Sequence, residues 1–338
     1  MERRIIMVVA VVLGVVAACA GGQPAQPALR PVASADAGPL QVLKTFRVGG
    51  TGGWDYLTVD PEARRLYVSH ATRVMVLDAD KGTPIGEITD TQGVHGIALV
   101  PDGNVGFTSN GRENALSVFD PKTLKTLRKV KSGQNPDSIL YDPASKKVFA
   151  FNGRSGDVTI VDPKALDKDP VTLPVGGKLE AGVSDGAGRV YVNVEDKNEV
   201  VAIDSKEGKV LAHWPLAPGE RPTGLAIDRQ HRRLFSGCSS LMVILDADQG
   251  KVLATVPTGP GVDGVTFDSL LGLAVSANGG DGTVTVVKEE PAGTFKAIQT
   301  LKTARGARTI TSDPKSHQIY LPCNIDNEFS VLVVGAKS

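Results

Sequence analysis

The sequence predicts an all-β, seven-bladed β-propeller closed by an N-terminal strand that completes the last blade, and three observations predict it. First, a β-branched segment ending in aspartate returns every 42 residues: VMVLD at Asp78, LSVFD at Asp120, VTIVD at Asp162, VVAID at Asp204 and MVILD at Asp246, with TVTVV reaching Lys288 on the same count. A period of this length, carried by alternating strands, marks stacked four-stranded units, none of which can bury its faces alone. Second, the ends of the first strands form a column at Asp60, Val100, Asp142, Asp185, Asp228, Asp268 and Asp313, which counts seven units. Third, the last unit runs ARTITSD, HQIYLP and FSVLVV without a fourth strand, while residues 41–48 (QVLKTFRV) stand ahead of the first unit without partners.

Taken in order, residues 1–19 read as an export signal. Arg3 and Arg4 precede an apolar run over residues 5–16, and small residues follow through Ala17, Ala18, Cys19 and Ala20. The VAAC tetrad at residues 16–19 resembles a lipobox with Cys19 lipidated, and Ala18-Cys19-Ala20 also satisfies an ordinary small-x-small cleavage site; the cysteine at the end of the apolar run favours the lipobox. Residues 20–39, rich in Pro, Ala and Gly, read as a flexible tether. The expectation is an exported protein, a periplasmic or outer-membrane lipoprotein held by a lipid anchor, with a soluble periplasmic or secreted protein as the alternative. Residues 40–338 then form one domain. Its first blade shows the whole unit, WDYLTVD, RRLYVS, RVMVLD and PIGEIT, separated by short turns. Residues 41–48 supply the missing outer strand of the last blade, which removes the two edges an open ring would expose.

Composition fits such a ring. Hydrophobic residues make up 41% of the chain, with 38 Gly and 21 Pro, and 37 residues of each charge sign cancel. The total charge therefore gives no argument for nucleic acid or an acidic membrane as partner, and a monomer is expected. The basic stretches Arg64-Arg65, residues 125–131 (KTLRKVK) and residues 229–233 (RQHRR) carry no interleaved aromatics and read as solubilising charges on strand edges, which leaves nucleic acid a remote partner. Cys238 and Cys323 fall on different blades and are expected to be free thiols.

YVSH at Tyr67, FTSN at Phe107, FAFN at Phe149 and YVNV at Tyr191 each follow a turn carrying D-P, P-D-G or D-G and precede a strand ending in an apolar residue and Asp. This repeat resembles that of the YVTN-type propellers, the group that includes the periplasmic YncE-like proteins, over about residues 41–335. The resemblance implies the propeller fold and export; one branch of that group is thought to bind DNA, and the group shares a blade rather than a reaction. Asn135-Pro136 and Arg221-Pro222 keep the proline that leads into the first strand in that group, whereas other blades carry charged residues there.

Those residues line up. Five positions before each first-strand end stand Asp55, His95, Asp137, Glu180, Thr223, Asp263 and Arg308, one per blade, and four of the seven are acidic where the chain-wide share of acids would put about one. Because the first strand of a blade is innermost, these side chains are expected to ring one mouth of the central channel. Asp55, Asp137, Glu180 and Asp263 offer an oxygen-rich set for a divalent cation such as Ca²⁺ or Mg²⁺, or for a cationic ligand, and crowding of carboxylates would favour either. The competing reading is a solvated polar rim in which Arg308 neutralises a neighbour such as Asp55. Trp54 beside Asp55 is a candidate anchor for a small molecule or a peptide, its rival role being packing between blades one and two. His70, Asn110, Arg112, Asn152, Arg154, Glu195, Asp196, Asn278, Asp281, Asn324 and Asp326 are expected to open on the same face.

The functional expectation is a ligand- or partner-binding propeller acting through this acidic mouth. The alternative is a lactonase or cycloisomerase, metal-assisted or not, in which His95, Glu180 and Arg308 supply a base, an acid and a cation for a developing oxyanion. No nucleophile elbow, phosphate loop or HExxH motif accompanies them.

Overall fold

In the computed structural model, residues 38–50, 52–101, 104–291 and 293–337 are described; the signal segment, Cys19 and most of the tether lie outside them. Seven four-stranded antiparallel sheets follow one another along the chain, and in the first six the strands are hydrogen-bonded in sequence order. The seventh takes its outermost strand from the beginning of the domain: Leu40–Arg47 pairs antiparallel with Glu328–Ala336, from Leu40 opposite Ala336 to Arg47 opposite Ser330. The innermost strands are Trp54–Asp60, Val94–Val100, Pro136–Asp142, Leu179–Ser184, Leu225–Asp228, Val262–Asp268 and Thr311–Ser312.

The closing strand is locked from both sides. Gln299, on the outer strand of blade six and nearly inaccessible, accepts from the Leu40 amide through Oε1 at 3.0 Å and donates through Nε2 to the Leu40 carbonyl at 2.7 Å. Phe46 belongs to the apolar cluster shared by blades seven and one, with Leu57, Leu66, Val68 and Phe329, and its ring lies 6.4 Å from that of Tyr320. It lies so close to Gly82, which has φ +72°, that a Cβ there would fall 2.1 Å from the ring.

The aspartate columns are turn caps. Asp78, Asp120, Asp204 and Asp246 each accept through Oδ1 from the backbone amides two and three residues on, which closes the tight turn into the outer strand. In blade six Lys288 replaces that aspartate, and there the hairpin extends instead: Thr283–Glu290 pairs with Thr294–Lys302 down to Glu290 opposite Thr294. The first-strand column does the same work at Asp60, Asp228 and Asp268.

Blades are stapled to each other on that face. Arg64, in left-handed geometry at φ 53°, reaches from blade one to Asp313 of blade seven at 2.5 Å while also holding Asp80, and Arg232 links blade five to Asp185 of blade four and to Asp248 in the same way. Tyr191 and Tyr320, both fully buried, donate to Ala247 and Ala79 carbonyls of the following blade, so these two tyrosines are interblade ties. The basic stretches are therefore not simply solvated charge. Arg64, Arg229, Arg232 and Lys129 are each engaged with a carboxylate or a carbonyl.

Candidate functional site

The mouth residues are aimed by a repeated irregularity. In five of the seven innermost strands the pairing register shifts at the start: between Trp54 and Leu57, Val94 and Ile97, Pro136 and Ile139, Leu179 and Gly182, and Val262 and Gly264. Asp55, His95, Asp137, Glu180 and Asp263 sit inside those five bulges. A bulge turns a side chain out of the strict alternation of a strand, and here the turn is toward the channel. Thr223 and Arg308 lie just ahead of the paired segments of blades five and seven.

Hydroxyl groups pin the bulged backbone. The Asp55 carbonyl accepts from Thr309 Oγ1 at 2.7 Å, the Glu180 carbonyl from Ser138 Oγ at 2.8 Å, the Val262 carbonyl from Thr223 Oγ1 at 2.8 Å, and the Asp137 carbonyl from Ser109 Oγ. Each donor belongs to a neighbouring blade. Thr223 thus gives its hydroxyl hydrogen to the neighbouring blade.

The side chains of the ring form two groups. On one side Asp55 divides its oxygens: Oδ2 faces His95 Nδ1 at 2.6 Å, and Oδ1 lies 4.0 Å from Arg308, whose Nε donates to Asp263 at 2.7 Å and whose Nη2 donates to the Trp54 carbonyl at 3.0 Å. On the other side Glu180 meets Lys178 Nζ at 2.8 Å; Lys178 also bonds Glu195, which accepts from Arg221 at 2.6 Å. Asp137 stands between the groups, with no hydrogen bond to its carboxylate among the described residues.

Electrostatics follow from this crowding. Burial pushes Asp137 up to about 7, with the His95 charge opposing and Asp55 and Asp263 adding to it. Burial also pushes Glu180 up to about 8, reinforced by Asp137 and opposed by Lys178, and it raises Asp263 despite Arg308. For His95 burial acts downward, but the Asp55 hydrogen bond and the charges of Asp137, Asp55 and Glu180 outweigh it and raise the imidazole.

Tyr56 belongs to the same site and carried no signal in the sequence column. It is the one large side chain where the other inner strands carry Gly96, Ser138, Ala181, Gly224, Gly264 and Thr309. Its phenol is held well above its usual value, first by burial and then by the charges of Asp137, Glu180, Asp55 and Asp263. It is therefore a neutral donor at any ordinary pH. Below it the channel narrows to a cavity of about 140 Å³ lined by Tyr56, Gly96, Ser138, Ala181, Gly224, Gly264 and their neighbours.

Trp54 packs on Phe329 of blade seven with ring centroids 5.7 Å apart, not between blades one and two. Several polar residues expected on the face are turned inward. His70 is 1% exposed, with its ring 4.4 Å from Phe329, and Asn110, Asn152 and Asn278 are fully buried. Each asparagine donates from Nδ2 to a hydroxyl of the neighbouring strand, Ser117, Thr159 or Thr285. They clamp hairpins. Arg112, Arg154, Asp196, Asp281, Asn324 and Asp326 stay at the surface, where Asp326 pairs with Arg47 at 3.1 Å.

Of the four carboxylates read as a cation set, Glu180 and Asp263 face Lys178 and Arg308. Among the described residues, Asp55, His95 and Asp137 bring metal-capable atoms together, one from each and all within 4.8 Å of one another. A larger cavity, about 490 Å³, lies at the opposite ends of the strands between blades five and six, lined by Asp228, His231, Phe235, Phe267 and Glu289.

No protein-family model matches the chain, and no curated protein matches it. Among solved structures it is similar to Kuenenia stuttgartiensis hydrazine synthase, at 15% identity and a TM-score of 0.73, over 84% of this chain and 96% of that one. At that identity the likeness concerns the propeller fold alone.

Proposed function

We propose that this chain is an exported binding propeller of the YncE-like kind, which recognises a positively charged ligand at the mouth formed by Asp55, Tyr56, His95, Asp137, Glu180, Asp263 and Arg308. The observation that carries this reading is the convergence of four carboxylates on one concave rim, one of which, Asp137, has no hydrogen-bond donor among the described residues. Bringing a cation to such a rim offsets the burial and the neighbouring negative charges that raise Asp137, Glu180 and Asp263. Tyr56 adds a neutral donor and an aromatic edge beside them, suited to an ammonium or guanidinium group. Export rests on the N-terminal sequence, with lipidation at Cys19.

The test is calorimetric titration of the full chain with a panel of polyamines, guanidinium compounds and short basic peptides, alongside matched acids. Binding of at least one cationic class, weakened about 10-fold or more by Glu180→Gln or Asp263→Asn, supports the reading; binding restricted to neutral or anionic compounds sinks it.

One observation favours a second reading, hydrolysis of a lactone or a cycloisomerisation. The 2.6 Å link from Asp55 to His95 Nδ1 is the arrangement by which a carboxylate orients an imidazole base, and Arg308 lies 4.0 Å from the same carboxylate as a cation for an oxyanion. A lactone panel in which turnover disappears in His95→Ala would support it, and turnover that persists would remove His95 from the reaction.

A further inference from the structure

We infer that Asp55, His95 and Asp137 form a binding site for one divalent transition-type cation, of the Mn²⁺ or Zn²⁺ class rather than Ca²⁺ or Mg²⁺. This rests on the reading of the mouth as the recognition site and narrows it to three residues on three successive blades. Their ligand atoms lie within 4.8 Å of one another. Small inward rotations bring such atoms to the bond lengths of about 2.0–2.2 Å that Zn²⁺ takes from imidazole and carboxylate.

The donor set selects the ion. An imidazole nitrogen with two carboxylates is a mixed, borderline set, whereas Ca²⁺ asks for six to eight oxygens and Mg²⁺ for an all-oxygen octahedron. The other two acids of the rim, Glu180 and Asp263, are held by Lys178 at 2.8 Å and Arg308 at 2.7 Å and so do not complete an oxygen cage. Two carboxylates and a neutral imidazole also balance a charge of +2.

Three features prepare the site. The bulges that aim Asp55, His95 and Asp137 are fixed by the backbone: Ser69 Oγ accepts from the Asp55 amide at 3.0 Å, Thr309 holds the Asp55 carbonyl at 2.7 Å, and Ser109 Oγ accepts from the Gly96 amide at 2.8 Å while donating to the Asp137 carbonyl. Arg308 lies on the Oδ1 side of Asp55, which leaves Oδ2 turned toward His95. Asp137, the third ligand, stands within 4.8 Å of the other two ligand atoms, and its buried carboxylate has no hydrogen-bond donor among the described residues. A bound ion gives that carboxylate its partner. The positive charges of Arg308 on one side of the ring and Lys178 on the other limit the site to a single ion.

The experiment uses the full chain, stripped with chelator and dialysed against MnCl₂, ZnCl₂ or CaCl₂, with bound metal counted by elemental analysis and Mn²⁺ examined by pulsed electron paramagnetic resonance. The expected result is one equivalent of Mn²⁺ or Zn²⁺, far weaker Ca²⁺, and a ¹⁴N coupling on bound Mn²⁺ that is lost in His95→Gln. Asp137→Asn and His95→Gln should each weaken binding about 100-fold or more, while Glu62→Gln, at an exposed acid paired with Lys315 outside the mouth, should keep it within a few-fold. Circular dichroism and thermal unfolding of each variant separate lost binding from lost folding. Absence of binding, equal binding of Ca²⁺, or retention in both ligand variants overturns the inference. If the cationic organic panel still binds while no metal does, the metal site falls and the recognition reading stands; if metal binds and the panel does not, the reverse holds.

Discussion

Asp55 reaches from blade one to His95 of blade two, Oδ2 to Nδ1, at 2.6 Å. Both side chains are more than two-thirds buried, so the pair is shielded from solvent and ties two bulges to each other as well as aiming them. A hydrogen bond to a charged group contributes about 1.5–3 kcal/mol when it is not screened. A double-mutant cycle with Asp55→Asn and His95→Gln, read by urea unfolding, is therefore expected to give a coupling of about 1 kcal/mol or more. A coupling near zero would mean that the two side chains do not meet in solution.

Ring closure draws on Gln299 as well as on the closing strand itself. Its amide satisfies both the N–H and the C=O of Leu40, a residue with no exposed surface. Gln299→Leu keeps the volume and leaves two backbone groups without partners at about 1–3 kcal/mol each. The variant is expected to unfold at lower urea and to exchange the amides of residues 40–47 faster than those of blades two to five. Uniform exchange across the chain would argue against a local role for this clamp.

The fold was legible because its periodic residues are periodic for a local reason. Asp78, Asp120, Asp204 and Asp246 cap one turn type, and a turn repeats in sequence as it repeats in space. The ring column was legible for the same reason, since position along the innermost strand fixes which end a side chain occupies. What sequence could not give is direction at the bulges and partners across blades. Tyr56 reaches the acids only through the bulge between Trp54 and Leu57, and Glu195 reaches Lys178 only because the paired strand Arg189–Val194 ends beside the entry to Leu179–Ser184. His70 and the three asparagines occupy turn-like positions in sequence but face inward, because the strand continues one residue further than the turn signal suggests.

Cys238 and Cys323 are both buried and unpaired, and burial pushes each thiol up to about 11. Only the thiolate attacks a disulfide reagent. At pH 8 the folded propeller is expected to leave both thiols unlabelled over hours and to release both together on unfolding in guanidinium. Fast labelling of one thiol in the native state would show that its blade opens locally.

Asp313 links the last blade to the first through Arg64 at 2.5 Å, and its carboxylate has no exposed surface. Burial alone would raise it, but the Ser316 hydroxyl, the Arg64 guanidinium and the Lys315 amide together hold it below the ordinary carboxylate value. A carboxyl lower in the folded than in the unfolded chain stabilises at pH values above its unfolded pKa, near 4, and that contribution is lost as pH falls through the folded value. The wild type should accordingly lose stability more steeply below pH 4 than Asp313→Asn, whose curve is flatter there and lies about 1–3 kcal/mol lower at pH 7. Arg64 keeps Asp80 as a partner in that variant, so the difference isolates the bond across the seam rather than a stranded guanidinium. Urea midpoints between pH 2 and pH 7 measure it, and parallel curves for the two proteins would place the acid sensitivity of the ring elsewhere.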